Sequence, residues 1–382
     1  MVIFINNDEL VNLKIQLEKE ERAKQVSEII PEELHILCKK AENKEIFSIE
    51  EQIDYARFKG IEISKSDEDD VRDILLNRTY YFKVTAYRKN FEKDINGKYK
   101  DLSFIKLADL AKIDMYLRMI LSRMIFELEH SLKTLLMSSI TNSLTEDGYT
   151  IVEEYDSYMQ KEYINRQRKN GDNRLEKEIL YEYTQASKKI LDKVKGKHGY
   201  DFDFYHHHYD RLSIWALLEV MTLGNLERFI NFYFKKEYFA YRGLKTANQL
   251  LKYVTNVRNA AAHSRPLIYN IVEPFQYGRS GNELKNRRPV IQLTQFATKA
   301  GVEADLSTKA LTNMKMNDIV ATLYLHEKYV KTQKLKTKNS EELKELLKRM
   351  KVHAHIYEKN YELVEMYHFF EKIVLEYGKL NA

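Results

Sequence analysis

Helix-breaking residues are scarce in this chain, which has only 12 glycines and 4 prolines among its 382 residues. Long stretches therefore lack any residue that would end a helix, and apolar residues recur at three- and four-residue spacing. Tyrosine is abundant, with 27 residues, so the composition is not that of a disordered chain. We therefore predict a nearly all-α fold.

Composition and missing motifs exclude several common classes of protein. The single cysteine, Cys38, rules out a disulfide framework and a cysteine-based metal site, and it fits a reducing cytoplasm. No Gly-rich phosphate loop, His-Glu-x-x-His zinc motif or Gly-x-Ser-x-Gly elbow occurs in the sequence. The apolar run at residues 1–5 is too short for a signal peptide, and charges interrupt the one at 115–140. We predict a cytoplasmic protein with no metal, no cofactor and no membrane segment.

Periodicity and capping signals predict most of the helices. Residues 103–141 form the longest one, because apolar side chains recur along it at the spacing of a helix buried on one side. Ser48 and Glu51 have the spacing of a capping box. Further helices are predicted over 8–25, 31–41, 48–60, 67–76, 212–221, 225–234, 246–263, 307–328, 341–351 and 357–377.

Other local features are expected between these helices. The polar stretch 145–197 is expected to be helical in part, with a break at Gly171. We expect Gly224 at a tight corner, an irregular stretch over 201–209 and a small β-hairpin around 289–293. Three regions follow: an N-terminal helical region (1–100) that contains a helical hairpin, a helical core (101–270) with a basic insertion at 145–205, and a C-terminal loop with additional helices (271–382).

The most informative motif lies at the end of the helix predicted over 246–263, and it reads Arg258-Asn259-Ala260-Ala261-Ala262-His263. Arginine can bind a phosphate with two parallel hydrogen bonds, and histidine can transfer a proton near neutral pH. Pro266 disfavours helical geometry at the residue before it, so the helix should end close to His263. The helix dipole favours a cationic imidazole there. This combination suits phosphodiester chemistry on RNA.

The spacing within this motif indicates how its side chains are arranged. Asn259 and His263 are four residues apart and share a helix face, whereas Arg258 and His263 diverge by roughly 140°. One helix is therefore poorly placed to form a complete active site, and a two-fold dimer would bring two copies of each side chain into one cleft. The alternative is a histidine at a helix end beside an arginine held in a salt bridge.

Other clusters of polar residues have a purely structural interpretation as well as a functional one. His206, His207 and His208 are consecutive and cannot all face one metal ion, so we expect a polar loop there. Glu127 and Glu129 would either orient Arg258 and His263 or simply pair with Lys133. Basic clusters lie over 166–169, 188–197, 279–288 and 328–338, and they fit either a polyanionic partner or solvated helix faces.

Several short segments occur in a fixed order between residues 48 and 269, and the last of them is the motif at 258–263. The others are Ser48-Ile49-Glu50-Glu51-Gln52-Ile53, Gly60-Ile61, Leu76-Asn77-Arg78-Thr79-Tyr80-Tyr81, Tyr87-Arg88 with Phe91, Asp114-Met115-Tyr116-Leu117-Arg118, Glu129-His130-Ser131-Leu132-Lys133, Trp215-Ala216-Leu217-Leu218-Glu219 and Thr222-Leu223-Gly224-Asn225-Leu226. In this order they resemble the Abi-like family of bacterial abortive-infection proteins, the AbiD and AbiF group.

The resemblance implies a fold and an activity. The family is similar to the HEPN ribonucleases, which implies a HEPN-like helical bundle, metal-independent RNA cleavage at a homodimer interface and a toxin role in phage defence. Some relatives are held in check by a small structured RNA, which implies a second RNA partner. The catalytic positions of the family fall on Arg258, Asn259 and His263. Where relatives often have arginine after the glutamate of the long helix, this chain has Lys133, which is only a point charge.

The resulting hypothesis is an endoribonuclease that forms a 2′,3′-cyclic phosphate and has no membrane partner. His263 serves as general acid–base catalyst, Arg258 holds the phosphate, and Asn259 orients His263 or donates to a phosphate oxygen. The predicted RNA-binding residues are Lys133, Tyr81, Tyr87, Arg88, Arg265, Arg287 and Arg288. Two alternatives are a non-catalytic protein of the same fold that binds structured RNA, and a helical scaffold that recognises a phage protein.

Overall fold

The structure is a computed structural model, and it describes residues 32–196, 202–236, 242–274, 276–277, 285–286 and 288–379. The chain forms two compact units, Met1–Ala111 and Lys112–Ala382. Helices dominate the described part of both units, which confirms the all-α prediction. The helix predicted over 8–25 and the side chain of Arg287 lie outside the described residues. The division into three regions stays a prediction.

From residue 32 onwards, where the structure describes it, the first unit contains four short helices before the long one. The second of them begins with the predicted capping box, since the Ser48 hydroxyl accepts from the Glu51 backbone N–H (3.2 Å) and the Glu51 carboxylate accepts from the Ser48 N–H (2.7 Å). It ends before Gly60, whose φ of +84° suits a residue without a Cβ. The four are α1 (Glu32–Glu42), α2 (Ile49–Phe58), α3 (Glu68–Asp73, continued by a π-helical turn over Ile74–Arg78) and α4 (Tyr81–Val84, continued by a 3₁₀ turn over Thr85–Asn90).

Helices α2 and α3 form the predicted helical hairpin. Buried Ile53 and Val71 supply apolar contact surface to it. Two ion pairs join the helices, Arg57 to Glu68 at 2.5 Å and a second pair between Arg72 and Glu50 at 2.8 Å. Because exposed ion pairs contribute little to stability, burial of the apolar side chains is the main force that holds the hairpin together.

The long predicted helix is present as α5, Phe104–Thr141, with 38 residues. Most of it belongs to the second unit. Its buried side chains recur every three or four residues, as predicted, and they include Leu117, Leu121, Met124, Leu128 and Leu132.

The rest of the second unit, as far as it is described, is a series of shorter helices with a two-stranded antiparallel ladder, in which Gln276 pairs with Asn286. The elements are α6 (Thr150–Lys169), α7 (Glu176–Tyr181), α8 (Ala186–Leu191), α9 (Phe202–His208), α10 (Ile214–Val220), α11 (Leu223–Lys236), α12 (Lys245–Ala262), β1 (Gln276–Tyr277), β2 (Lys285–Asn286), α13 (Ile291–Lys299), α14 (Ala304–Thr312), α15 (Met314–Tyr329), α16 (Gln333–Val352) and α17 (Tyr361–Glu376).

Two predictions of irregular structure were wrong. Phe202 stacks edge-on with His206 at 4.3 Å between ring centroids, and Phe204 contacts His208 at 4.6 Å. Such contacts between residues four apart stabilise α9, where we predicted a loop. Gly224 lies inside α11, not at a corner. The chain turns just before it, where Met221 has extended geometry.

Two further predictions missed the position of a helix start. The β-hairpin predicted at 289–293 is instead the beginning of α13, and the strands lie earlier, at 276–277 and 285–286. The single helix predicted over 307–328 is two helices, α14 and α15. They separate at Asn313, whose extended backbone breaks the helix and whose side chain accepts from the N–H groups of Lys315 and Met316.

Helix α12, which carries the Arg-Asn-Ala-Ala-Ala-His motif, is fixed by its apolar face against α11 and α15. Full burial of one such aliphatic side chain contributes about 1.5–3 kcal/mol. The opposite face stays accessible, and it carries the polar side chains of the motif. The buried side chains are Ala247, Leu250, Leu251, Val254 and Val257. Among the described helices, none combines the length and the apolar character needed to cross a membrane.

Candidate active site at the end of helix α12

The helix ends at His263 through a specific arrangement of hydrogen bonds. The Ser264 N–H donates to the Ala261 carbonyl (3.0 Å), and the Arg265 N–H donates to the Ala260 carbonyl (2.7 Å). Ser264 has the left-handed φ of +52°, so these contacts form a Schellman motif. Pro266 follows and cannot continue the helix. The predicted helix end is therefore confirmed.

The motif side chains are accessible to solvent to different extents. His263 is exposed, Asn259 is exposed, and Arg258 is half-buried. The Arg258 guanidinium donates to the Asn259 side-chain oxygen at 3.2 Å. In the described part of the chain, no side chain makes a hydrogen bond or an ion pair with the His263 ring. The predicted contact by which Asn259 would orient His263 is thus not formed in this single copy.

A buried carboxylate fixes the segment that follows the motif. One oxygen of Asp114, on α5, accepts from the backbone N–H groups of Leu267 (2.6 Å) and Ile268 (2.8 Å). Its other oxygen pairs with Arg118 at 2.8 Å, one helical turn further along α5. Both side chains are buried, so the ion pair is poorly screened by water. In the sequence, Asp114 and Arg118 stand out only as part of a family segment, and this role was not predicted.

A lysine from α15 approaches the same segment. The Lys315 ammonium donates to the Pro266 carbonyl at 2.8 Å and lies 4.2 Å from the centre of the Tyr269 ring. Burial lowers the pKa of Lys315 to about 8, although the nearby charge of Asp114 acts in the opposite direction. The loop after His263 is thus held from two helices by charged groups.

One of the comparisons with known proteins identifies a family for this chain. A family model described as Abi-like protein matches residues 74–269, just over half of the chain. The chain belongs to the Abi-like protein family. Membership points to abortive-infection phage defence. The match includes the whole Arg258–His263 motif and ends just after the two backbone groups that Asp114 binds. No curated protein and no solved structure matches the chain.

Lys133 and Glu129 of this Abi-like chain form a local pair on α5. The Lys133 ammonium lies 3.0 Å from the Glu129 carboxylate and donates to the Met221 carbonyl at 3.1 Å, just after α10 ends. The sequence left two roles open for Glu129, and the structure shows the second one, the pairing with Lys133. This lysine joins α5 to the end of α10.

Glu127 contacts neither Arg258 nor His263. It forms an ion pair with Arg123 of the same helix at 3.7 Å, and its closer partners come from the C-terminal helices. It accepts from His326 at 2.8 Å and from Asn339 at 2.7 Å. The fully buried His326 ring accepts at its other nitrogen from the Tyr377 hydroxyl (2.8 Å). Burial raises the pKa of Glu127, but the hydrogen bonds from His326 and Asn339 outweigh it, and the net pKa is lowered.

The predicted RNA-binding residues lie in different environments. In the first unit, Tyr87 is 0% exposed, which corrects the expectation that its ring is free to stack on a base. Tyr81 is half-buried, and Arg88 donates to the Thr85 carbonyl at 2.7 Å. In the second unit, the side chains of Arg265 and Arg288 are exposed.

The three consecutive histidines point in different directions in this family member. They lie on α9, where successive side chains point about 100° apart around the axis. Within the described ranges, no cluster of three or more His, Cys, Asp or Glu side chains is arranged to hold a metal ion.

Proposed function

We propose that this Abi-like protein is a metal-independent endoribonuclease of the HEPN type that acts as a toxin in abortive-infection defence. The observation that carries the proposal is the solvent-exposed His263 at a helix end that is rigidly closed, with Arg258 on the same helix. A rigid support keeps a catalytic imidazole in a fixed position while a flexible polynucleotide approaches. The proposed location is the reducing cytoplasm.

In the proposed reaction, the ribose 2′-oxygen attacks the adjacent phosphorus and the bond from phosphorus to the 5′-oxygen breaks. The products are a 2′,3′-cyclic phosphate and a free 5′-hydroxyl end. One imidazole removes the 2′-hydroxyl proton and another protonates the leaving 5′-oxygen. Arg258 stabilises the charge on the non-bridging oxygens. Because one chain supplies one His263, two imidazoles require a second copy.

The decisive experiment compares the wild-type chain with His263→Ala on single-stranded RNA in excess EDTA. We expect the variant to cleave about 10²–10⁴-fold more slowly, because it lacks the general acid–base group. The products are analysed for cyclic phosphate ends. His353→Ala is the matched control, since His353 is also exposed and also caps a helix C-terminus. Equal cleavage by wild type and His263→Ala would exclude the assignment.

The proposed homodimer uses an apolar strip on α5. Met115 is 42% exposed and Met119 is 63% exposed, one helical turn apart. Met115 directly follows Asp114, which binds the segment after the motif, so pairing across this strip would bring two copies of His263 towards one cleft.

We expect Met119→Glu to turn a dimer into a monomer and to reduce RNA cleavage to the level of His263→Ala. A carboxylate in an apolar interface is costly because it loses its hydration without a partner. Light scattering after size exclusion measures the mass. Leu144→Glu, at a fully exposed residue away from α5, is the control. A wild-type chain that is monomeric and still cleaves RNA would contradict the dimer proposal.

Binding of a structured RNA without cleavage is the second candidate, because the described part of one copy offers no group that orients the His263 ring. Arg265 and Arg288 are then exposed phosphate contacts. In this case Arg258→Ala weakens RNA binding and lowers its salt dependence, while no product forms. The same RNA surface would hold a small inhibitory RNA.

A purified protein with low absorbance at 260 nm would instead favour the remaining alternative, a helical scaffold that recognises a phage protein.

A further inference from the structure

A second site lies in the basic insertion of the second unit, where α6, the α7–α8 segment and the start of α11 enclose a cavity of about 300 Å³. Its floor contains Tyr155 and Ile190, which are almost completely buried. Tyr163 and Tyr183 line it as a pair, with ring centroids 5.1 Å apart. A cavity with several aromatic rings suits a flat ligand, because such rings offer stacking surfaces.

The rim of this cavity is strongly basic. Arg166, Lys189, Lys193 and Arg228 line it, and all four are exposed. Within the described part of the chain, none of them forms an ion pair. Glu182 is the acidic residue of the lining, and Arg174 binds it at 2.9 Å. The rim therefore presents positive charge that suits an anion such as a phosphate.

The interior contains polar atoms without partners among the described residues. The Asn225 side chain is 94% buried, at 6% exposure, and its amide nitrogen has no hydrogen-bond acceptor. The buried Tyr183 hydroxyl has the Ala186 backbone N–H as a donor beside it, but it likewise has no acceptor for its own proton. A buried donor without an acceptor costs about 1–3 kcal/mol. Both groups line the cavity, so a ligand inside it is able to satisfy them.

We propose that this cavity binds a single nucleotide, with the base against the tyrosines, its polar edge at Asn225 and Tyr183, and its phosphate at the basic rim. The aromatic lining, the buried donors and the basic rim together require one ligand that is flat, carries hydrogen-bond acceptors and is anionic at one end. Stacking on aromatic side chains and phosphate contacts with basic ones are the usual means of holding a nucleotide. The source is either a free mononucleotide or one nucleotide of an RNA chain.

Helix α11 connects this cavity to the motif helix. Asn225 and Arg228 line the cavity, whereas Glu227 of the same helix accepts from Thr255 of α12 at 3.1 Å. Thr255 lies one turn before Arg258. A ligand in the cavity therefore contacts the helix that supports the proposed active site. The nucleotide site itself does not depend on RNA cleavage.

The test is calorimetric titration of the full chain with the four ribonucleoside 5′-monophosphates, their nucleosides, inorganic phosphate and an eight-nucleotide single-stranded RNA. We expect saturable binding of a monophosphate or of the RNA, with the nucleoside and inorganic phosphate each at least about tenfold weaker. Competition between monophosphate and RNA identifies the source as an RNA nucleotide. Binding of the monophosphate alone identifies a free nucleotide.

The pocket variant combines Arg166→Ala with Lys193→Ala, and we expect it to weaken binding at least about tenfold because two phosphate contacts are lost. The control combines Lys161→Ala with Lys177→Ala, which removes the same charge from exposed residues of α6 and α7 outside the cavity. Unchanged affinity in the pocket variant, or no saturable binding of any probe, overturns the proposal. His263→Ala should bind the nucleotide normally, so failure of the ribonuclease proposal remains distinguishable.

Discussion

At the scale of single residues, the charged groups that support the motif are buried or half-buried, while Asn259 and His263 of the motif face solvent. Asp114 binds two backbone N–H groups and an arginine, and Lys315 reaches the Pro266 carbonyl from the other side. Buried charges of this kind make stability depend on pH, because folding changes the free energy of protonation.

Lys315 yields a prediction with a definite sign. Its pKa in the folded chain is about 8, below the usual value of about 10.4 for an unfolded chain. Between these values the unfolded state binds more protons, so stability rises with pH. We expect the unfolding free energy of wild type, relative to Lys315→Met, to increase by about 2 kcal/mol from pH 7 to pH 10. Urea unfolding measures it, and a difference that stays constant over this range would contradict the prediction.

The residues found from sequence are those whose chemistry is local. Arg258 and His263 are recognisable because two local features determine their relative position. They are five residues apart along one helix, and a proline follows the end of that helix. Asp114 binds Leu267, which is 153 positions away in sequence. In the sequence, the available indication was an Asp and an Arg four residues apart on an otherwise apolar helix. This spacing indicates a buried ion pair, but it cannot identify a backbone partner that is far away in the sequence.

At the scale of elements, helices with a long apolar stripe were predictable and their junctions were not. The stripe of α5 repeats over many turns, whereas α9 has seven residues and depends on ring contacts such as Phe202 with His206. The break at Asn313 depends on one side chain that caps α15. Such junctions are decided by individual hydrogen bonds, which periodicity does not report.

The Schellman end of α12 leads to a prediction about stability. Ser264 has a φ of +52°, and a residue with a Cβ is disfavoured in that region. Ser264→Gly removes this cost, although glycine loses more backbone entropy on folding. We expect a net gain of about 0.5–1 kcal/mol in unfolding free energy, measured by thermal or urea unfolding. Ser264→Val should destabilise the chain, and a loss of stability in the glycine variant would refute the argument.

At the scale of the whole molecule, the second unit joins the family region to helices beyond it. Glu127 lies within the matched range 74–269, and its partners His326 and Asn339 lie after it. The network is buried around His326, and the Tyr377 hydroxyl completes it. The C-terminal helices are therefore attached to the family region through polar contacts. These contacts were not predictable from the sequence, because the partners are about two hundred residues apart.

Glu127 provides the corresponding test. Its folded pKa is lowered, so its carboxylate contributes stability above the usual pKa of about 4.3, and the contribution is lost as pH falls through the folded value. We expect Glu127→Gln to cost about 1–2 kcal/mol at pH 7, since hydrogen bonds to a charged acceptor are lost. The difference from wild type should shrink below about pH 4. A gap that persists undiminished at pH 3 would argue against an ionised Glu127.

The closed end of α12 also limits how this chain can vary. Each of the alanines between Asn259 and His263 is replaceable by another small residue, because none of them carries chemistry. The number of these alanines, in contrast, cannot change without altering the geometry of the motif. One inserted residue would rotate the imidazole by about 100° around the helix axis relative to the guanidinium, and the spacing between the two groups would change by about 1.5 Å. All three polar side chains would survive such an insertion, but the arrangement that we propose to bind one phosphate would be lost.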